Sequence, residues 1–357
     1  MRFSFIIIEM NMSAFISFHD LGLFEVILIF VFSAIVISFA GTYLAKFADQ
    51  IADITKMGEA VVGAVLLGAI TSLAGVVTSL TAAYQGYADL AISNAIGGIA
   101  VQTLFLAFAD MTYKKANLEH ASASLSNLMY SILLIGLLTL LLLMSQTPEI
   151  TVWNFHPGSP FIIIAYIFGL RMVSRGSKAP MWSPKLTSET IPDIPAKNLG
   201  SINHQKLWIS FFIAAGLVVF AGYLVGEAGI AITKKTDLSE SFVGGLFTAV
   251  ATSLPELIVS ISAVRRGSLT MAVSNIVGGN SFEVIVVALA DFFYSGSILH
   301  AATTSDSYII TLTILLMSIL LLGLLVREKK GIAKIGWESF AIVIFFILGY
   351  LLLFIIG

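Results

Sequence analysis

Thr252-Ser253-Leu254-Pro255-Glu256 sets a carboxylate beside a proline inside a long apolar run. A muted copy, Thr71-Ser72-Leu73-Ala74-Gly75, lies 181 residues earlier. A glutamate in such a run is tolerable only where something offsets its charge. The copy implies that the chain is built twice.

The surrounding composition says where the run sits. The 357 residues are 58% hydrophobic and only 11% charged, with a mean hydropathy of +0.97. A soluble domain carries roughly a quarter of its residues as charges. The apolar residues fall in runs of about 18 to 25, each long enough to cross a hydrocarbon core. With no water there, backbone groups must be satisfied within each segment, so an all-α polytopic membrane protein is predicted. Cysteine is absent, which excludes disulfides and thiolate chemistry. No basic face long enough to track a nucleic acid is present.

Working outward, spans are expected at about Leu21–Ala48, Glu59–Tyr84, Leu90–Tyr113, Leu125–Met144 and Phe161–Val173. After the polar, proline-rich stretch 174–206 they resume at Leu207–Ile232, Ser241–Val264, Leu269–Tyr294, Tyr308–Val326 and Trp337–Ile356. Residues 1–20 read as a hydrophobic lead-in without a convincing cleavage site. The halves are thus 1–175 and 207–357, joined by a linker at 176–206. If the N-terminus is outside and the ten spans alternate, the inner loops hold 16 of the 19 lysines and arginines. This bias puts the linker in the cytoplasm and both termini away from it. It suits a prokaryotic inner membrane best.

The register of the repeat is maintained over about 75 residues without a gap. Adding 181 carries Thr71-Ser72-Leu73 onto Thr252-Ser253-Leu254, Asn94 onto Asn275, Gly97-Gly98 onto Gly278-Gly279, and Asp110 onto Asp291. Five spans per half is an odd number, so the second copy must insert upside-down. Such inverted repeats place a binding site near the bilayer midplane, where discontinuous helices meet.

The polar residues suit a cation there. Thr252, Glu256 and Ser260 are four apart and share one helix face, as do Asn275, Gly279 and Glu283 on the next span. Carboxylate, hydroxyl and amide oxygens together are ligands for a hard cation. Pro255 removes an amide donor, so a kink freeing the carbonyl of Ala251 or Thr252 is expected. The first half answers with Thr71, Gly75 and Ser79, then Asn94, Gly98 and Gln102, keeping its oxygens and losing its charge. Glu25 and Glu227 are expected near the interfaces. Asp110 and Asp291 are expected at span ends, where little burial is lost. The five histidines are dispersed in sequence and form no metal signature. No nucleophile–base pair accompanies the stripe, so an enzyme is not expected.

Gly244–Tyr294, with Ala251-Thr-Ser-Leu-Pro-Glu256 and Ser274-Asn-Ile-Val-Gly-Gly-Asn280, resembles the second alpha-repeat (244–294) of the calcium/cation antiporter superfamily, which includes the sodium/calcium exchangers. Gly63–Tyr113 resembles the first (63–113). The resemblance implies alternating-access exchange of calcium or a related cation against protons or sodium. It carries ligand roles onto Thr252, Ser253, Glu256 and Glu283, and onto Thr71, Ser72 and Gln102; Asn275 and Asn94 join them from the polar stripes. Family members typically place one glutamate in each repeat. Gly75 abolishes the first here, so this chain is expected to be a divergent member. A cation channel or uniporter, or a non-transporting scaffold on the same fold, are the alternatives.

Overall fold

The computed structural model describes residues 17–55, 68–113, 116–122, 124–153, 155–178, 180–188, 190, 203–329, 331 and 336–356. The lead-in at 1–16, the first part of the second expected span, Glu59 and Gly63 among it, and most of the linker lie outside them. Ten helices follow the ten expected spans. They are α1 (Leu23–Thr55), α2 (Leu73–Tyr84), α3 (Ala88–Thr112), α4 (Leu125–Ser145), α5 (Gly158–Lys178), α6 (His204–Lys235), α7 (Glu240–Arg266), α8 (Leu269–Asp291), α9 (Thr304–Val326) and α10 (Trp337–Ile356). Eight are long and apolar enough to cross a membrane. Of the others, α5 ends on Arg175 and Lys178, and α2 is described from its break onward. No strand occurs among the described residues.

The duplication is visible in contacts as well as in residue types. Two short turns of helix, Leu118–Ala121 and Ile298–Ala301, follow α3 and α8 at matching places. Gly86 and Gly267, 181 residues apart, both adopt a left-handed conformation, at φ 88° and 86°. A side chain there would be strained, so the same tight turn closes α2 and α7. Helix α2 packs on α6 as α7 packs on α1, and α3 meets its own counterpart α8. The contacts are made where side chains are small. A Cβ on Gly41 of α1 would run into Pro255 of α7, and one on Gly222 of α6 would lie 2.8 Å from the carbonyl oxygen of Ala74. Those four positions map onto each other by 181. The fold is therefore a ten-helix inverted repeat, with α3 and α8 buried at the centre and α1, α6 and α10 presenting phenylalanine, leucine and isoleucine outward.

Asp110 and Asp291 depart from the expectation of cheap exposure, for both are fully buried. Each has its side chain wholly engaged. Asp291 accepts from the Ile298 amide at 2.7 Å, the His156 amide at 2.7 Å and the Ser159 hydroxyl at 2.6 Å. Asp110 accepts from the Leu118 amide at 2.6 Å and the Gly336 amide at 3.0 Å. A buried acid at a span end is retained because it ties a returning loop and the start of another helix to its own. Replacing Asp291 with alanine leaves three buried donors unpaired, each costing about 1–3 kcal/mol. A clear loss of thermal stability in detergent is expected, and an unchanged melting midpoint would contradict this bracing role.

Candidate cation site

Four segments converge at the centre. Thr71 and Ser72 stand at the break before α2, where Ser72 has left helical geometry at ψ 6°. Helix α3 contributes Asn94, Gly98 and Gln102. Helix α7 contributes Thr248, Thr252, Ser253 and Glu256, and α8 contributes Asn275 and Glu283. All nine ligand candidates from the sequence are buried: Thr71, Ser72, Asn94, Gln102, Thr252, Ser253, Glu256, Asn275 and Glu283. The break in the second half is not at the proline. Helical structure runs on through Pro255, and the irregular turn is a π-helical segment, Val243–Thr248, just upstream. Proline still removes the amide that would bond the Ala251 carbonyl.

Gln102 and Glu283 are pseudo-symmetric counterparts, and they touch: Nε2 of Gln102 donates to Oε1 of Glu283 at 2.5 Å. Ser72 donates to the same oxygen at 2.9 Å, and Gln102 reaches the Ser253 hydroxyl at 3.4 Å. Ser72 and Ser253 are likewise counterparts, so the local axis passes through this cluster. Oε2 of Glu283 has no hydrogen-bond partner. It occupies the space beside Gly98, where a Cβ would come within 2.6 Å of it. Ser72, Gly75, Asn94, Gly98, Thr252 and Glu283 enclose a small cavity between the halves. Glu256 lies within electrostatic reach of Glu283 and beside Thr71, but it does not line that cavity.

Around this axis the halves have opposite chemistry. In the first, Asn94 is satisfied at both ends. Its Nδ2 donates to the Gly75 carbonyl at 3.1 Å and the Ser79 hydroxyl at 2.9 Å, and its Oδ1 accepts from Thr248 at 2.7 Å. Ser79 passes its own proton to the Ala91 carbonyl at 2.9 Å. In the second, the counterparts are Asn275, Ser260 and Glu256. Both polar atoms of Asn275, the Ser260 hydroxyl and both oxygens of Glu256 are buried without a hydrogen-bond partner. Thr248 supplies one of these partners, to Oδ1 of Asn94, and its counterpart in the sequence, Leu67, carries no hydroxyl. Sequence reading passed over Thr248 although it continues the Thr252–Glu256–Ser260 stripe four residues upstream.

Buried polar groups almost always find partners, and a buried charge without one is expensive. Both oxygens of Glu256, one of Glu283, the Asn275 amide and the Ser260 hydroxyl are left open, and such oxygens are the types a hard cation takes. Among the described residues, no three His, Cys, Asp or Glu side chains form a metal cluster. The buried acids at this centre are Glu256 and Glu283, and hydroxyl and amide side chains stand around them.

An inverted repeat of ten helices around buried carboxylates defines the class, an integral membrane cation exchanger. The chain belongs to the sodium/calcium exchanger protein family, whose model matches residues 25–174 and 206–356. It is 28% identical over 290 residues to the putative antiporter CaxA of Alkalimonas amylolytica, covering 79% of this chain and 86% of that one. It is 26% identical over 266 residues to the inner membrane protein YrbG of Escherichia coli, covering 73% and 77%. Among solved structures, the H+/Ca2+ exchanger CAX superposes with a TM-score of 0.67 at 14% identity, over 99% of this chain and 91% of that one. The sodium-calcium exchanger NCX_Mj superposes with a TM-score of 0.59 at 18% identity, over 90% and 96%. These superpositions carry the fold, and the chemistry rests on the residues above.

Proposed function

We propose that the protein is a secondary antiporter that exchanges calcium or a related divalent ion against protons or sodium by alternating access. The observation that carries this reading is the one-sided donor set of Glu256, Glu283, Asn275, Ser260 and Thr252. Ser72 and Gln102 hold Glu283 in place, Ser253 accepts from Gln102 behind them, Thr71 stands beside Glu256, and Asn94 closes the first half. Binding two kinds of ion in turn at one set of carboxylates is the elementary requirement of exchange. Glu256 and Glu283 supply at most two negative charges, while Gly75 and Gln102 supply none. One divalent ion or two monovalent ions balance them, so exchange is electroneutral. The 1–175 and 207–357 halves rock about the site, the 176–206 linker faces the cytoplasm, and both termini face away from it in a prokaryotic inner membrane.

Reconstituted protein should take up calcium only when an outward gradient of sodium or an opposing pH gradient is imposed. Uptake of equal rate with neither gradient would indicate a channel or uniporter. No uptake under any gradient, with calcium still bound, would indicate a scaffold.

A further inference from the structure

At the end of the bundle that the basic loops assign to the cytoplasm, Glu119 and Glu338 are buried to 1% and 0% exposure. Glu119 sits on the short helix Leu118–Ala121, and Glu338 opens α10. The two are close: the hydroxyl of Ser339, next to Glu338 in the chain, lies 3.5 Å from Oε1 of Glu119, and each carboxyl feels the other's charge. Yet Oε2 of Glu119 and both oxygens of Glu338 have no hydrogen-bond partner. Two carboxylates cannot bond each other, because neither has a hydrogen to offer. The slot is built for this acid: a Cβ on Gly323 would run into the Glu338 side chain, and one on Gly336 would come within 2.5 Å of its Oε1.

We propose that Glu119 and Glu338 form a second proton-binding site, a carboxyl–carboxylate pair that shares one hydrogen at the cytoplasmic end, apart from the central cation site.

The neighbours leave a proton as the ligand that fits. Asp110 faces the pair from α3, but the Leu118 and Gly336 amides take up both its oxygens, so it adds charge without offering a donor. Ser339 approaches Glu119 at 3.5 Å, and Glu328 adds negative charge near Glu338. Arg327 gives its guanidinium to the carbonyls of Lys185 and His120, and the His120 ring meets the Arg327 carbonyl at 2.7 Å. Among the described residues, no lysine or arginine side chain bonds either glutamate. The three acids do not converge as metal ligands. Burial first, then the negative charge of Asp110 and Glu338, holds the Glu119 carboxyl well above the ordinary carboxylate range.

The opposite face of the bundle gives an internal comparison. There Asp291 occupies the place of Asp110, and Glu119 is replaced by His300, 181 residues on. His300 meets the Thr147 carbonyl at 2.6 Å and the Ser297 hydroxyl at 3.1 Å. His156 accepts from the Gly158 amide at 2.9 Å and meets the Thr147 hydroxyl at 3.3 Å. The scaffold there is thus satisfied by imidazole rings in place of carboxyl groups, and Glu119 is not needed to build it.

A group whose proton is held more tightly in the folded state contributes fully at acidic pH and loses its contribution as pH rises through the folded value. Cytoplasmic alkalinisation should therefore loosen the junction of α3, α10 and the short helix. The test uses full-length protein with Glu256→Gln and Glu283→Gln, which removes the central carboxyls. Infrared difference spectra at neutral pH should show a protonated-carboxyl band that is lost on adding Glu119→Gln. The melting midpoint of the parent should fall as pH rises, and Glu119→Gln should flatten that dependence. Glu338→Gln serves if Glu119→Gln does not accumulate, and if neither does, a midpoint that rises with pH overturns the proposal. A spectrum unchanged by the substitutions also overturns it. So does loss of the band on adding calcium at constant pH, which would make the pair a metal site.

Discussion

Glu256→Gln is expected to abolish calcium binding while leaving the fold intact. Glutamine keeps the shape and one oxygen of the side chain and removes only its charge. Taking one partner from a buried ionic contact typically costs about 3–5 kcal/mol, because the remaining charge is left uncompensated. That corresponds to a loss of affinity of roughly 10²- to 10⁴-fold. Isothermal titration of calcium, manganese, magnesium and sodium into the protein and its variant reads this directly.

The same substitution separates a ligand from a brace. Neither oxygen of Glu256 has a hydrogen-bond partner, so glutamine breaks no bond that the side chain makes within the protein. It also relieves the burial of a charge, and melting without added ion should occur at the same temperature or higher. Asp291 behaves oppositely, since its oxygens hold three donors and its loss weakens the fold. A Glu256→Gln protein with unchanged calcium affinity would remove the central argument for transport at this site.

Much of this was legible in the sequence because membrane helices leave few ways to hide polar residues. An asparagine or glutamate among leucines is costly, so its repetition at a fixed spacing carries information that glycine and alanine do not. The ten spans, the upside-down duplication and the burial of all nine ligand candidates follow from that economy. Pairing across the halves was not legible. Asn94 and Asn275 are the same residue at equivalent places, yet a threonine from the other half saturates only the first. Spacing along one segment cannot reveal a bond between segments 154 residues apart. The buried state of Asp110 and Asp291 was hidden for a related reason. A span end looks solvated until the returning loops that donate to it are in place. The dispersed histidines gave the same lesson, since His156 and His300 lie 4.9 Å apart, ring to ring. Pro255 misdirected the reading in a simpler way: it packs against Gly41, and the helix absorbs its irregularity earlier, in the Val243–Thr248 turn.

Restoring the missing acid with Gly75→Glu should convert the proposed electroneutral exchange into exchange that moves charge. The backbone at residue 75 has room for a side chain. A Cβ there meets Thr252 Oγ1 at 3.7 Å and Asn94 Nδ2 at 3.8 Å, ordinary van der Waals distances. The new carboxylate would enter beside the cavity bounded by Thr252 and Glu283 and bring the site to three negative charges. Three charges need a third monovalent ion in the counter-ion-loaded state, whereas one calcium still fills the other state. Each cycle would then carry one net charge. A charge crossing the full membrane potential is worth about 2.3 kcal/mol per 100 mV. The calcium gradient sustained at equilibrium should therefore shift by roughly 50-fold per 100 mV in the variant and stay flat in the parent. Gly75→Gln adds the same bulk without the charge and should stay flat. Proteoliposomes clamped at defined potassium diffusion potentials measure all three. A strongly voltage-dependent parent would show that Glu256 and Glu283 are not the full charge of the site. A Gly75→Glu protein that transports without voltage dependence would show that the first half does not face the ion.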